Sequence, residues 1–224
     1  MLLLLMRLEG PLQSWGERSS WDTRDTALMP TKSGVIGLAA GCMGLARGDE
    51  GIDKLSQALH MAVRADKPGI VMTDYQTVQG MPYLNSANGK PRTANTIVSP
   101  RDYLQDASFL VALYGDSETI ENVAKGIREP KWAPYLGRKN CVPATPIIPV
   151  LTEKYGTVES AFSEIKLFHG KESGTAVEAE IEETNGESVR YDNLKFALDR
   201  QFCTRNVKRM ILIVEGDNDV FNLS

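Results

Sequence analysis

Residues 107–114 read ASFLVALY, a continuous apolar run whose length is typical of a strand buried on both faces. A helical pattern follows, opened by Ser117 as its cap and ended at Arg128, just before a proline. A second apolar run at 147–151 predicts another strand. This part of the chain therefore predicts one strand, helix, strand unit.

The N-terminal part of the chain shows the same order. An apolar run at 2–8 predicts a buried strand, and Thr31 or Ser33 can cap a helix that stops near Gly48. A short amphipathic helix and a strand at 60–64 follow. The two units, separated by an insertion, form the split βαβ order of a ferredoxin-like fold, so we expect an α+β protein.

The start of the first long helix, PTKSGVIGL at 30–38, invites comparison with a nucleotide-binding P-loop. No glycine directly precedes Lys32, so the P-loop spacing is absent. The helix start with Lys32 and Ser33 still favours a bound phosphate, while an ordinary capped helix with a solvated lysine is the alternative. Glycines at 37, 41 and 44 share one helix face, where we expect another backbone to approach closely.

Composition excludes several classes of protein. The 224 residues carry a net charge of −4 and three cysteines that are far apart, so neither a disulfide framework nor a zinc site is indicated and a reducing cytoplasm is expected. The apolar run at the N-terminus is too short for a signal peptide, and no run approaches the ~20 residues that cross a bilayer. We therefore expect a cytoplasmic protein outside the membrane.

Charge is segregated along the chain. Four windows hold 12 of the 25 basic residues and none of the 29 acidic ones, and they span 26–48, 75–101, 130–152 and 200–214. If these windows converge in space, they form a positive surface suited to a phosphate backbone; chance segregation is the alternative.

Aromatic residues are interleaved with the basic ones, as RNA recognition requires. The groups are Tyr83 with Lys90 and Arg92, Trp132 and Tyr135 with Arg138 and Lys139, and Phe202 with Arg200 and Arg205. Each aromatic residue taken alone is more often part of a core, so the prediction of RNA binding rests on the repeated pairing.

The acid-free insertion at 75–101 has an Asn88-Gly89 turn between polar, extended arms, which predicts a projecting β-hairpin. Catalysis is weakly indicated, because His60 and His169 are the only histidines and neither lies in an acid-free window. The acidic stretch at 172–187, with Asn185-Gly186 at its tip, is expected to be a solvated loop or hairpin, not a metal site.

Six blocks carry a resemblance to a known family. They are GPLQSWG (10–16), PTKSGVIGL (30–38), DYQTV (74–78), RDYLQDASFLVALY (101–114), KWAPYLGRKNCVP (131–143) and DRQF (199–202). In this order they resemble the CasD family of subunits of the type I-E CRISPR Cascade complex, in the RAMP superfamily. The resemblance implies a ferredoxin-like, RRM-related RNA-binding domain at 1–152, with a β-hairpin thumb at about 77–99, and a small β-rich C-terminal region at 153–224.

The same resemblance implies a non-catalytic role in antiviral defence without a cofactor. The family binds and caps the 5′ handle of the CRISPR RNA and docks the large subunit and the nearest backbone subunit. The residues implied or indicated for RNA binding are Gln13, Ser14, Trp15, Lys32, Ser33, Lys90, Arg92, Arg101, Tyr135, Arg138, Lys139, Arg200 and Gln201.

An alternative function is cleavage of precursor CRISPR RNA without a metal, as a related branch of the superfamily performs. That chemistry needs a base for the ribose 2′-hydroxyl and an acid for the leaving oxygen. Tyr83, Tyr103 or Tyr135 could pair with Lys90 or Lys139, although no histidine accompanies them.

Overall fold

The computed structural model describes residues 1–17, 24–79, 96–168, 174–196, 198–199 and 201–221. Its elements are β1 (Leu3–Gln13), α1 (Lys32–Met43), α2 (Glu50–Ala58), β2 (Leu59–Lys67), β3 (Ile70–Gln79), β4 (Thr96–Gly115), α3 (Ser117–Arg128), β5 (Val150–Thr152), α4 (Val158–Glu164), β6 (Thr175–Glu182), β7 (Ser188–Phe196) and β8 (Gln201–Val214).

The described strands form one antiparallel sheet in the order β5-β1-β4-β2-β6-β8-β7, with β3 paired to β4 off this path. The pairing of β1 with both β4 and β5 interlocks the two strand, helix, strand units that the sequence predicts. The mixed α/β class is thus confirmed. Helix α3 has the expected bounds, but Asp116 is its cap, since that carboxylate accepts from the Thr119 amide.

The core lies on both faces of this sheet, which explains the continuous apolar runs. On β1, Leu4 and Met6 pack into the cluster that includes α1, α2 and α3, whereas Leu3 and Leu5 pack into the cluster that includes α4. Successive side chains of a strand point to opposite faces, so a strand covered on both sides has a nearly continuous apolar sequence instead of an alternating one.

The C-terminal strands continue the same sheet. Strand β6 pairs with β2, and β8 lies between β6 and β7. Of the loop and the hairpin expected across residues 185–186, the hairpin is wrong, because β6 and β7 each pair with β8 and not with each other; a loop joins them. The division at residue 152 stays a prediction; the core around α4 contains side chains from both sides of it.

The glycines of α1 do not serve the expected purpose. A Cβ at Gly37 or Gly41 would meet no atom of the described residues within 4 Å, so none of their backbone approaches these two positions and the expectation is wrong there. Close contacts with side chains lie at Gly34, where a Cβ would stand 2.8 Å from Trp15 Cε3, and at Gly44, where a Cβ would collide with the Lys131 side chain. Gly44 ends the helix with a φ of 79°, a conformation that glycine adopts without strain.

The arms of the insertion are antiparallel strands. The pairing of β3 with β4 runs from Ile70 opposite Gln105 to Gln79 opposite Thr96. The turn expected at 88–89, with Tyr83, Lys90 and Arg92, lies outside the described residues.

Candidate nucleic-acid interface

The start of helix α1 is occupied by carboxylates from the C-terminal strands. Thr31 caps the helix as expected, by accepting from the Gly34 amide at 3.3 Å. The Lys32 amide donates to Asp192 Oδ2 at 2.8 Å, and Lys32 Nζ donates to Glu182 Oε1 at 2.9 Å. Lys32 is only 2% exposed, so a phosphate could bind here only by displacing both acids. The expected phosphate site is corrected to an internal ion pair.

These acids belong to a buried charge network. Asp192 accepts from Arg205 Nε at 2.6 Å, and Glu180 lies 3.4 Å from nitrogens of both Arg190 and Arg205. Burial alone would raise the pKa of Asp192, but the hydrogen bond and charge of Arg205 outweigh it and hold that pKa below its usual value. Burial is also the main reason that the pKa of Lys32 is lowered, against the opposing effect of Glu182.

The sequence interpretation of 172–187 as a solvated face is wrong for its inner acids. Glu180 is 3% exposed, and Glu182 bonds to Lys32. The alternation of Val177, Ala179 and Ile181 with these glutamates indicates a strand, which is the signal that could have revealed buried partners.

The Gln13-Ser14-Trp15 motif lies inside the protein. The Gln13 amide nitrogen donates to the carbonyls of Leu8 and Ala107, and its oxygen accepts from Trp15 Nε1 at 2.9 Å. The Ser14 amide donates to the Leu136 carbonyl at 3.0 Å. Gln13 and Trp15 are fully buried, so this motif positions neighbouring loops rather than presenting polar groups to a ligand.

Beside this motif, an open groove of about 580 Å³ gathers side chains from separate parts of the chain. Its lining residues are Arg24, Gln76, Arg101, Tyr135, Gly137, Arg138, Lys139 and Asn140. Four of them are cationic and none is acidic, so the groove has the electrostatic character that favours an anionic ligand.

Backbone pairing builds the two sides of the groove. Arg24 forms an isolated parallel bridge with Arg101, in which the Arg24 amide donates to the Pro100 carbonyl and the Asp102 amide donates to the Arg24 carbonyl. On the other side, Leu136 donates to the Cys141 carbonyl at 2.7 Å and closes the loop at 135–141. Gly137 has a φ of 89°, and a Cβ there would collide with the Ser14 carbonyl.

Several groove cations have no acidic partner within the described part of the chain. No ion pair there joins Arg24, Arg101 or Lys139 to a carboxylate. Arg101 Nε is buried without a hydrogen-bond partner, which is a costly state for a charged donor unless a ligand satisfies it. Tyr135 is 39% exposed beside them, so its ring is open to a stacking partner.

The groove unites four of the residues selected from the sequence, which are Arg101, Tyr135, Arg138 and Lys139. It does not include Lys32 or Ser33 at the α1 start, and Gln201 lies on β8 opposite Phe196. Arg200, Lys90 and Arg92 lie outside the described residues. Sequence reasoning missed Arg24, Gln76 and Asn140, since only the bridge between Arg24 and Arg101 reveals that position 24 joins the acid-free window at 75–101.

Within the described ranges, no helix is long and apolar enough to cross a bilayer. The same residues contain no group of three His, Cys, Asp or Glu side chains placed to hold a metal ion.

An antiparallel sheet flanked by helices, with a paired β3-β4 extension beside a cationic groove, defines a mixed α/β protein. The model of the family described as CRISPR-associated protein (Cas_Cas5) matches residues 3–208. The chain belongs to this family, which confirms the resemblance found in the sequence.

Relatives agree with this assignment. The chain is 30% identical over 231 residues to the CRISPR system Cascade subunit CasD of Escherichia coli (strain K12), with 97% of each chain covered. It resembles a chain of a solved CRISPR RNA-guided surveillance complex with a TM-score of 0.80 and 32% identity, covering 98% of this chain and 96% of that one. A crystal structure of a Cas protein matches with a TM-score of 0.74 and 31% identity, covering 95% of this chain and 96% of that one.

Proposed function

We propose that this protein is an RNA-binding subunit of a Cascade-type CRISPR surveillance complex and that its groove binds the 5′ handle of the CRISPR RNA. Family membership and the names of its relatives support a place in such a complex. The single observation that carries the site is the convergence of Arg24, Arg101 and Lys139 in one groove without an acidic partner among the described residues.

The groove offers the two kinds of contact that single-stranded RNA needs. Arg24, Arg101 and Lys139 supply cations for backbone phosphates, and the buried Nε of Arg101 gains the acceptor that it lacks. Tyr135 supplies a planar surface for a splayed base. Gln76 and Asn140 add amide groups that can bond to base edges.

We assign the β5-β1-β4-β2 core with α1 and α3 to a ferredoxin-like, RRM-related arrangement. In this proposal the β3-β4 hairpin forms the base of a thumb at about 77–99 that lies over the RNA beyond the groove. The protein caps the handle and docks the large subunit and the nearest backbone subunit in the cytoplasm, as part of antiviral defence.

The proposal is tested by co-purification with a repeat-containing guide RNA. A triple variant, Arg24→Gln, Arg101→Gln and Lys139→Gln, is expected to lose the RNA that the wild-type protein retains. The matched control, Lys54→Gln, Lys67→Gln and Lys125→Gln, removes the same charge at exposed positions away from the groove and should retain it. Equal retention by both triple variants would show that the groove is not the RNA site.

One observation keeps the endoribonuclease as a second candidate. Tyr135 and Lys139 line the same groove, so a base and an acid for cleavage are available there, whereas His60 lies against Glu182 and Tyr114. Purified protein incubated with repeat-containing RNA and EDTA decides between the two. A discrete cut at the 5′ boundary of the handle, lost in Lys139→Gln, would establish cleavage.

A further inference from the structure

Arg138 differs from the other cations of the groove because the protein already binds its guanidinium group. Arg138 Nη2 donates to the Arg24 carbonyl at 2.9 Å and to the Asp25 carbonyl at 3.4 Å. The guanidinium carbon lies 4.7 Å from the centroid of the Tyr103 ring, a cation-π distance. Tyr103 is only 1% exposed, so this ring is a fixed support.

The two terminal nitrogens of Arg138 differ. Nη2 donates to the two carbonyls, whereas Nη1 is buried and has no hydrogen-bond partner among the described residues. Lys139, the next residue, is exposed and has no ion pair with a described acid. Arg138 and Lys139 are adjacent in one loop, but Arg138 is bound by the protein and Lys139 is exposed to solvent.

The contacts of Arg138 join the two sides of the groove. One side is the Arg24 segment, which is bonded to β4 through the Pro100 carbonyl and the Asp102 amide. The other side is the loop at 135–141, which carries Tyr135 and Lys139. Asn140 ties the same loop to Tyr103, since its amide nitrogen donates to the Tyr103 hydroxyl at 3.1 Å.

We infer that Arg138 is a positioning residue that clamps the 135–141 loop onto Tyr103 and the Arg24 segment, so that Tyr135 and Lys139 are held in place for RNA. This inference rests on the proposed function for its effect on RNA, but the clamp is a property of the free protein and is measured separately.

Arginine is required at this position by its shape. A planar guanidinium can stack on a ring and donate in its own plane to two carbonyls, whereas the compact ammonium of lysine cannot do both. Arg138→Lys keeps the charge but removes the clamp. Lys54→Arg is the matched control, because it makes the reverse exchange at an exposed position outside the groove.

The first measurement is the binding of a fluorescent oligouridylate of about 12 nucleotides across a series of KCl concentrations. Arg138→Lys should lower affinity about tenfold at every salt concentration while leaving the salt slope unchanged, since no charge is lost. Lys54→Arg should bind within about twofold of wild type. Affinity of Arg138→Lys within twofold of wild type would overturn the inference.

The second measurement is hydrogen exchange without RNA. The amides of Leu136 and Cys141, which donate within the loop, should lose protection in Arg138→Lys and keep it in Lys54→Arg. Asn140→Ala, at an exposed position, should give a smaller loss of protection at the same amides. This variant replaces Arg138→Lys in the test if Arg138→Lys folds poorly. Unchanged protection in both variants would refute the clamp. If wild type binds no oligouridylate, the proposed function fails, while loss of protection would still support the clamp.

Discussion

Lys32 Nζ lies 2.9 Å from Glu182 Oε1, so an ammonium at the start of the first helix is neutralised by a carboxylate 150 residues later in the chain. The amide of the same lysine donates to Asp192, on another C-terminal strand. The sequence predicts a phosphate at the start of α1. In the structure, this helix start instead joins the N-terminal half of the protein to its C-terminal strands.

Lys32→Met is expected to destabilise the protein by about 3–5 kcal/mol, because it leaves Glu182 buried beside fewer cations. Urea unfolding followed by circular dichroism measures this change. Lys54→Met, at an exposed position of α2, is the control and should have little effect. We also expect Lys32→Met to leave the salt slope of RNA binding of the folded protein unchanged; a slope lower by one phosphate contact would restore Lys32 as a ligand.

Asp192 makes the free energy of unfolding depend on pH in the acidic range. Because its folded pKa is below the unfolded value, its contribution is fully present above the unfolded pKa and is lost as pH falls through the folded one. The stability difference between wild type and Asp192→Asn should therefore be largest near neutral pH and shrink below about pH 4. Unfolding free energies at several pH values check this, and a difference that grows toward acid would contradict it.

Substitution by alanine should change the stability of the protein in opposite directions at Gly37 and Gly137. Gly37→Ala adds a Cβ in open space within a helix and should stabilise the protein by up to ~1 kcal/mol. Gly137→Ala forces a residue with a φ of 89° and a collision with the Ser14 carbonyl, so it should destabilise the 135–141 loop and weaken RNA binding. Thermal unfolding and RNA titration of both variants provide the comparison.

Arg101→Gln should lower the salt slope of RNA binding. Loss of one phosphate contact to a single strand changes the slope by about 0.7. Titrations over a range of KCl concentrations measure it, with Lys67→Gln as a control that removes an equal charge outside the groove. An unchanged slope in Arg101→Gln would mean that its buried Nε meets something other than a phosphate.

Much of the fold was predictable because strand burial leaves a local trace. The runs at 2–8 and 107–114 are apolar at all positions except Arg7 and Ser108, and the structure covers both faces of β1 and β4. The interface was predictable in part, since Arg101, Tyr135, Arg138 and Lys139 lie in acid-free windows that converge in one groove. Arg24 was missed because its place depends on a backbone bridge to Arg101 across a long chain separation.

By itself, the sequence determined which segments become strands and helices, where positive charge is concentrated, and the family to which the chain belongs. Only the tertiary structure decided what each charge does. Lys32, Arg101 and Arg138 are all basic residues in acid-free windows, yet one is buried against Glu182, one lacks a partner for its Nε, and one is bound by carbonyls and Tyr103. Local periodicity reports burial of a segment, but the partners and desolvation of a charge depend on residues that are distant in the chain.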